Sequence, residues 1–372
     1  MGFHLDIILM ILYVSVVLGV LVFIHEGAHF LAARAFGVRV TEFMIGFPGP
    51  SLSFRRGETR FGVTCVPLGG YAKICGMTPG DLNPHLKPAL AAMYQRGTAY
   101  MEDIAHDCNI TNDEAYDALS ALEEWGCLTG PKKQDEYNTF RTVSVRPTKR
   151  QIKQAARKGL PVPQAYEEGT PRPFESADAL FEHEYHQQYC SLSFWKRSVI
   201  LLAGIAMNLL FAIVVIVLIY SVIGIDYTYE SGEVVHLNVP LLNSLYAGLS
   251  YIAMVAQAIV SLFNPATAAQ TVSDSTSIIG IAVFAKVAAD EGVTMFLQFM
   301  AMISVSLGLM NLLPIPPLDG GRFVIEIYQK ITKRNASVRA MNMLTIAGMV
   351  FFIGLFVIMV GQDISRFVFG SW

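Results

Sequence analysis

The chain has 372 residues, of which 53% are hydrophobic and only 15% charged, with a mean hydropathy of +0.44. Its long unbroken apolar runs exclude an ordinary soluble globular protein and point to bilayer-spanning helices. A net charge of −3 argues against nucleic acid as the main partner, and five cysteines without a C-x-x-C pair read as free thiols rather than a disulfide framework or thiolate zinc site.

In chain order, the first expected span covers about residues 7–30. It lacks the basic lead of a cleavable signal peptide, and its apolar core is too long for one. Near its end stands His25-Glu26-Gly27-Ala28-His29. Residues four apart share a helix face, so both imidazoles reach one ion. Glu26 beside them can take a proton from metal-bound water, the logic of H-E-x-x-H zinc sites. Such residues are costly in lipid without a purpose, and helix packing alone requires no such order of side chains. His25 falls about 27 Å along the helix from Ile7, near the cytoplasmic side of the hydrocarbon core.

Residues 51–56 and 59–66 read as a β-hairpin turning at Gly57. The apolar run Val66-Pro67-Leu68-Gly69-Gly70 follows. An exposed strand edge here is suited to holding an unwound segment by strand addition. Residues 78–190 do not resemble membrane protein. Stretches 100–110 and 112–125 read as helices, with Asn112 as a cap and Asp113 and Glu114 favourable in the first turn. Strands near 127–129 and 139–145 complete a winged-helix-like pattern. The insert carries 12 Lys and Arg against 17 Asp and Glu. Phosphate attraction dominates nucleic-acid affinity, so specific DNA binding is not expected. Only 141–158, with seven basic residues and no acidic one, suits acidic headgroups or a cytoplasmic protein partner. His183 and His186 read as part of a solvated helix, and Pro161, Pro163, Pro171 and Pro173 as a linker.

A second span is expected at about 198–224, a third at 293–313 and a fourth at 341–360. The uncharged stretch 245–263 is expected on the outer membrane surface or packed against the spans. The third span ends in Asn311-Leu-Leu-Pro-Ile-Pro-Pro-Leu-Asp319-Gly-Gly321. Its prolines must end the helix, and irregular backbone at membrane depth survives only inside protein or beside a wet cavity. A catalytic zinc needs a third protein ligand and one open position. Asp319 is the candidate ligand, and Asn311 a group to hold a substrate carbonyl or an oxyanion. Arg34, Arg39, Arg55, Arg56, Arg60, Lys73, Lys196 and Arg197 lie between the first two spans, and Arg322, Lys330, Lys333, Arg334 and Arg339 between the last two. Residues 225–292 hold only Lys286. The positive-inside rule then places both termini outside and residues 34–197 in the cytoplasm.

HEGAH together with NLLPIPPLDGG resembles the site-2 protease family of intramembrane zinc metalloproteases (peptidase family M50), with its nearest likeness to the bacterial RseP-type members. Ile45-Gly46-Phe47, Pro67-Leu68-Gly69-Gly70-Tyr71 and Ala203-Gly204…Asn208 extend the likeness over about 5–77 and 190–365. The resemblance implies an α-helical polytopic inner-membrane protein of bacteria. Its four-helix metalloprotease core would carry a membrane-associated β-hairpin. The implied activity is zinc-dependent cleavage of single-span substrates within the bilayer, such as an anti-sigma factor or a signal-peptide remnant. Carried over by position, His25, His29 and Asp319 are the zinc ligands and Glu26 the catalytic base. Asn311 positions substrate, and the hairpin region with Gly69 and Gly70 contacts it. The implied units are 1–77, the insert 78–190, 191–224, a short extracytoplasmic 225–292 and 293–372. The sequence departs from the pattern in Gly46-Phe47-Pro48-Gly49-Pro50, in Gly204-Ile-Ala-Met-Asn208 where Gly-Pro is frequent, and in a 225–277 segment too short for a PDZ domain. Two alternatives stay open: a non-catalytic scaffold or sensor, for which Glu26 has no use, and a metal transporter, which predicts inverted repeats that are not seen.

Overall fold

A computed structural model of the chain describes residues 2–46, 49–65, 69–78, 80–135, 137–147, 149–158, 164–228, 234–316, 318–334, 337–367 and 369–370. Phe47, Pro48, Val66, Pro67, Leu68, Pro161, Pro163 and Pro317, which several expectations used, lie outside these residues.

The long helix α1 (Gly2–Ala35) has no polar stripe, as expected of a helix surrounded by lipid and apolar neighbours. After it come β1 (Val40–Ile45), β2 (Ser51–Arg56), β3 (Thr59–Thr64) and β4 (Gly70–Ile74). The expected hairpin is β2–β3, turning at Gly57 with φ 63°. It belongs to a four-stranded sheet of order β2-β3-β1-β4, with β1 parallel to β3 and antiparallel to β4. Phe54, Phe61 and Phe43 form a chain of ring contacts across one sheet face, and Phe23 and Phe30 of α1 continue it. This stacking lays the sheet along the membrane-depth part of α1.

The insert contains α2 (Leu86–Arg96), β5 (Thr98–Tyr100), α3 (Met101–Cys108), α4 (Asn112–Glu124), β6 (Leu128–Thr129) and β7 (Thr139–Thr142). The strands pair in the order β5-β7-β6. Leu90, Met93, Ile104, Leu119, Leu122, Trp125 and Phe140 form its core. Asn112, expected as a cap, is instead the first helical residue. Thr111 caps α4: its Oγ1 accepts from the Glu114 N–H at 3.3 Å, while the Glu114 carboxylate accepts from the Thr111 N–H at 2.9 Å, a reciprocal capping box. Next come α5 (Lys149–Lys158), α6 (Ala177–Tyr185) and a 3-10 turn at Tyr189–Ser191.

The insert is docked through a buried polar junction. Arg39, just past α1, donates to Trp125 O at 3.1 Å and Gln187 Oε1 at 2.9 Å, and pairs with Glu184 at 2.8 Å. Tyr94 Oη donates to the other Glu184 oxygen at 2.9 Å. Burial alone would raise the Glu184 carboxyl, but Arg39 and the Tyr94 hydroxyl hold it below its ordinary value. The key polar group of this helix is thus Glu184, between the two exposed histidines.

The second span is α7 (Phe194–Val217), extended by a π-helical turn Leu218–Ile223. A small hairpin, β8 (Ile225–Thr228) and β9 (Val234–Leu237), leads to α8 (Leu241–Ser261). Four helices long and apolar enough to cross a membrane were expected. The described residues contain five, and α8 is the additional one. It does not lie apart on the surface. Ser244 Oγ meets Ser221 Oγ at 2.7 Å and Gly248 faces Ile213 and Ile216, so α8 runs antiparallel along α7. Helices α9 (Ala268–Asp274) and α10 (Ile278–Glu291) form a pair bent by 45°, together long and apolar enough for a broken span or a re-entrant loop. Ala285 of α10 packs with Val17 and Leu21 of α1 and Met300 of α11 (Val293–Asn311). The described residues of 225–292 are therefore largely helix packed on the bundle.

The chain ends with α12 (Asp319–Thr332) and α13 (Val338–Phe367). Most of α13 faces outward. Near its end the fully buried Asp363 carboxylate accepts from the N–H of Ser277 at 2.7 Å and of Gly280 at 2.9 Å, and from the Ser277 and Thr276 hydroxyls at 2.6 and 3.1 Å. It thereby caps α10 from 86 residues away.

Candidate metal centre

His25 and His29 lie one turn apart on α1, both buried, with ring planes inclined at 75°. Their Nε2 atoms converge to 3.2 Å. Asp319 Oδ2 lies 3.0 Å from the first and 3.1 Å from the second. A tetrahedral zinc with bonds of roughly 2.0–2.1 Å separates its ligand atoms by roughly 3.3–3.4 Å, so this nitrogen–nitrogen–oxygen triangle fits the ion and leaves one position open. Among the described residues no other group of three His, Cys, Asp or Glu side chains gathers in this way.

The loop after α11 explains how a residue so distant in sequence arrives there. Gly320 and Gly321 press the first turn of α12 against the backbone of Leu312, Leu313, Ile315 and Pro316, leaving no room for a Cβ at either position. That contact aims Asp319, the first residue of α12, at α1. Gly204 of α7 covers the ligands from the other side: a Cβ there would overlap His29 Nε2 and stand 2.7 Å from His25 Nε2.

The outer ring nitrogens are also held. His29 Nδ1 lies 2.7 Å from the Ile200 carbonyl, so Nδ1–H donates and the Nε2 lone pair faces the centre. His25 Nδ1 lies 3.3 Å from the side-chain amide of Asn208, a fully buried residue whose Oδ1 has no other partner. The amide orientation that turns Oδ1 towards His25 Nδ1–H satisfies both groups. In sequence Asn208 stands out only as part of the Ala203-Gly204…Asn208 pattern; its spacing from Gly204, four residues and one helix face, is the signal that points to it. Replacing Asn208 by Ala is expected to weaken zinc binding about 10–100-fold, measured by competition with a chromophoric chelator.

Glu26 points to the sheet side of the centre. Its carboxylate accepts from the Ala72 N–H of β4 at 2.9 Å. Gly70, at the start of β4, lies so close to Val22 and Met44 O that a Cβ would not fit. A cavity of about 210 Å³ opens here, lined by Val22, His25, Glu26, Gly69, Gly70, Leu307, Asn311, Leu318 and Asp319. Glu26, Asn311, Gly69 and Gly70 thus share one space with two of the three converging groups, while His29 completes the triangle behind them. Three converging groups that could hold a metal ion with one position open, beside a carboxylate and an amide side chain, have the make-up a metal-dependent hydrolytic site requires.

Such a site enclosed among membrane-spanning helices defines a class, the polytopic membrane metalloproteases. The chain belongs to peptidase family M50, the site-2 type of intramembrane zinc protease, whose sequence profile matches residues 13–355. It is 24% identical to the regulator of sigma-W protease RasP of Bacillus subtilis, over 94% of this chain and 97% of that one. A shorter stretch of 77 residues, 20% of this chain and 18% of the other, is 47% identical to the zinc metalloprotease Rip1 of Mycobacterium tuberculosis. The protein is a multi-pass membrane zinc endopeptidase that acts on membrane proteins.

Proposed function

We propose that His25, His29 and Asp319 hold the zinc, that Glu26 is the general base, and that Asn311, Gly69 and Gly70 bind the substrate backbone. The convergence of both imidazoles and the carboxylate within 3.2 Å supports this reading. Zinc, when bound, polarises the attacking water and the scissile carbonyl. Glu26 takes the proton, held in place by the Ala72 N–H. The Asn311 amide donates to the carbonyl oxygen as charge develops on it. A spanning helix hides its peptide bonds in its own hydrogen bonds, so the substrate must be extended first. The strand edge beside Gly69 and Gly70 suits that form.

The substrates we infer are single-span membrane proteins, an anti-sigma factor or signal-peptide remnant among them. The relative RasP, a protease named for regulating sigma-W, supports the first. We assign the chain to the bacterial inner membrane with both termini outside. Six crossings, counting α8 and the bent α9–α10 pair, keep this parity and leave the basic segments 34–197 and 322–339 in the cytoplasm. The helix and strand order of residues 86–142 supports a winged-helix-like insert, for which we infer a cytoplasmic protein partner. Its acidic balance speaks against DNA. The test is cleavage of a single-span model substrate by the purified chain. Chelation should abolish it and added zinc restore it, and Asp319→Ala should lower both zinc content and cleavage. Full zinc content and full cleavage in Asp319→Ala would overturn the ligand assignment.

A further inference from the structure

Two turns beyond the metal centre, a second polar contact joins α12 to α7. Glu326 follows Asp319 by seven residues, and Arg197 precedes Gly204 by seven. Seven residues make nearly two full helical turns, so each pair projects from one face, its members about 10 Å apart. Glu326 is buried, with 8% of its surface exposed. Its Oε1 accepts from Tyr189 Oη at 3.1 Å. Its Oε2 lies 3.3 Å from Arg197 Nη1, an ion-pair contact rather than a directed hydrogen bond. The guanidinium also stands 6.0 Å from the centre of the Tyr189 ring.

A carboxylate is buried at considerable cost, and hydrolysis makes no use of this one. Helix α12 is 14 residues long; the glycine contact with the loop holds its first turn, and Phe323 packs against the cluster that contains Ile200 and Leu201 of α7. Apolar packing leaves a helix free to shift slightly along its neighbour, and a metal ligand tolerates displacements of only about 0.2 Å. We propose that Glu326, gripped by Tyr189 and Arg197, is a positioning residue that sets the pitch of α12 against α7 and so places the Asp319 carboxylate. Tyr189 closes the insert, and its N–H donates to Cys75 O just past β4 at 2.9 Å. The clamp therefore makes the end of the insert part of the support of the metal site. The proposal rests on Asp319 being a zinc ligand.

The experiment compares wild type, Glu326→Gln, the double variant Glu326→Leu with Arg197→Met, and Asp319→Ala. The double variant replaces the buried pair with apolar groups of similar volume, a change that often leaves stability intact. The readouts are zinc affinity by chelator competition, the visible spectrum of the cobalt-substituted protein, and kcat and KM separately. Both Glu326 variants should bind zinc about 10-fold or more weakly, alter the cobalt spectrum, and lower kcat with KM within about twofold. A folded double variant with wild-type zinc affinity and cobalt spectrum would overturn the clamp. If Asp319→Ala also kept wild-type affinity, the ligand assignment itself would fall; if Asp319→Ala lost zinc while the Glu326 variants did not, the clamp alone would fail.

Discussion

Glu26→Gln is expected to retain one zinc per chain and to cleave a single-span substrate about 10²–10⁴-fold more slowly, the range that a positioned general base contributes. The contrast between binding and turnover is the informative part. Glutamine has nearly the shape of glutamate, and its amide oxygen can still accept from the Ala72 N–H that holds Glu26 at 2.9 Å. β4 therefore stays docked against α1, and the cavity lined by Gly69, Gly70 and Asn311 keeps its form. What disappears is the lone pair basic enough to take a proton from water. Metal analysis of the purified variant, alongside single-turnover cleavage, checks both halves. Wild-type cleavage by a fully zinc-loaded Glu26→Gln protein would remove Glu26 from the mechanism.

Gly204→Val should abolish zinc binding, with at least a 100-fold loss of affinity, and cleavage with it. In most helix interiors, replacing glycine by a residue with a Cβ is neutral or gains up to about 1 kcal/mol. Here the sign reverses. The new Cβ would occupy the space of His29 Nε2 and stand 2.7 Å from His25 Nε2, so both ligand atoms must leave the triangle they form with Asp319. The matched control is Gly27→Ala, in the same stretch of α1 as the histidines, where a Cβ meets nothing within 4 Å. That variant should keep its zinc. Zinc titration of both proteins, with circular dichroism to confirm helix content, separates local crowding from unfolding.

Much of the centre was legible in the chain because its logic is local. Histidines four apart share a helix face, and three prolines before Asp319 had to break a helix at membrane depth. The β2–β3 hairpin was readable from alternation and its turn glycine. The rest of that sheet was not. β1 pairs in parallel with β3 and antiparallel with β4, partnerships that depend on packing against α1 and leave no periodic trace. Helix α8 has a candidate span's length and hydropathy, and charge parity alone argued against it. The bent α9–α10 pair is broken at Ser275–Ser277, and neither piece resembles a span by itself. Glu184 lies in a stretch that reads in sequence as a solvated helix, and no sequence pattern singles out Glu326. Their partners Arg39 and Tyr189 are 145 and 137 residues away, beyond the reach of any short-range pattern.

The Asp363 cap has a practical corollary for handling the protein. The first-turn amides of a helix whose start is buried find no solvent to accept from them, and each one left bare costs about 1–3 kcal/mol. One carboxylate near the far end of the polypeptide meets that need for α10. Removing Asp363, or the segment that carries it, would therefore undo a helix that braces α1.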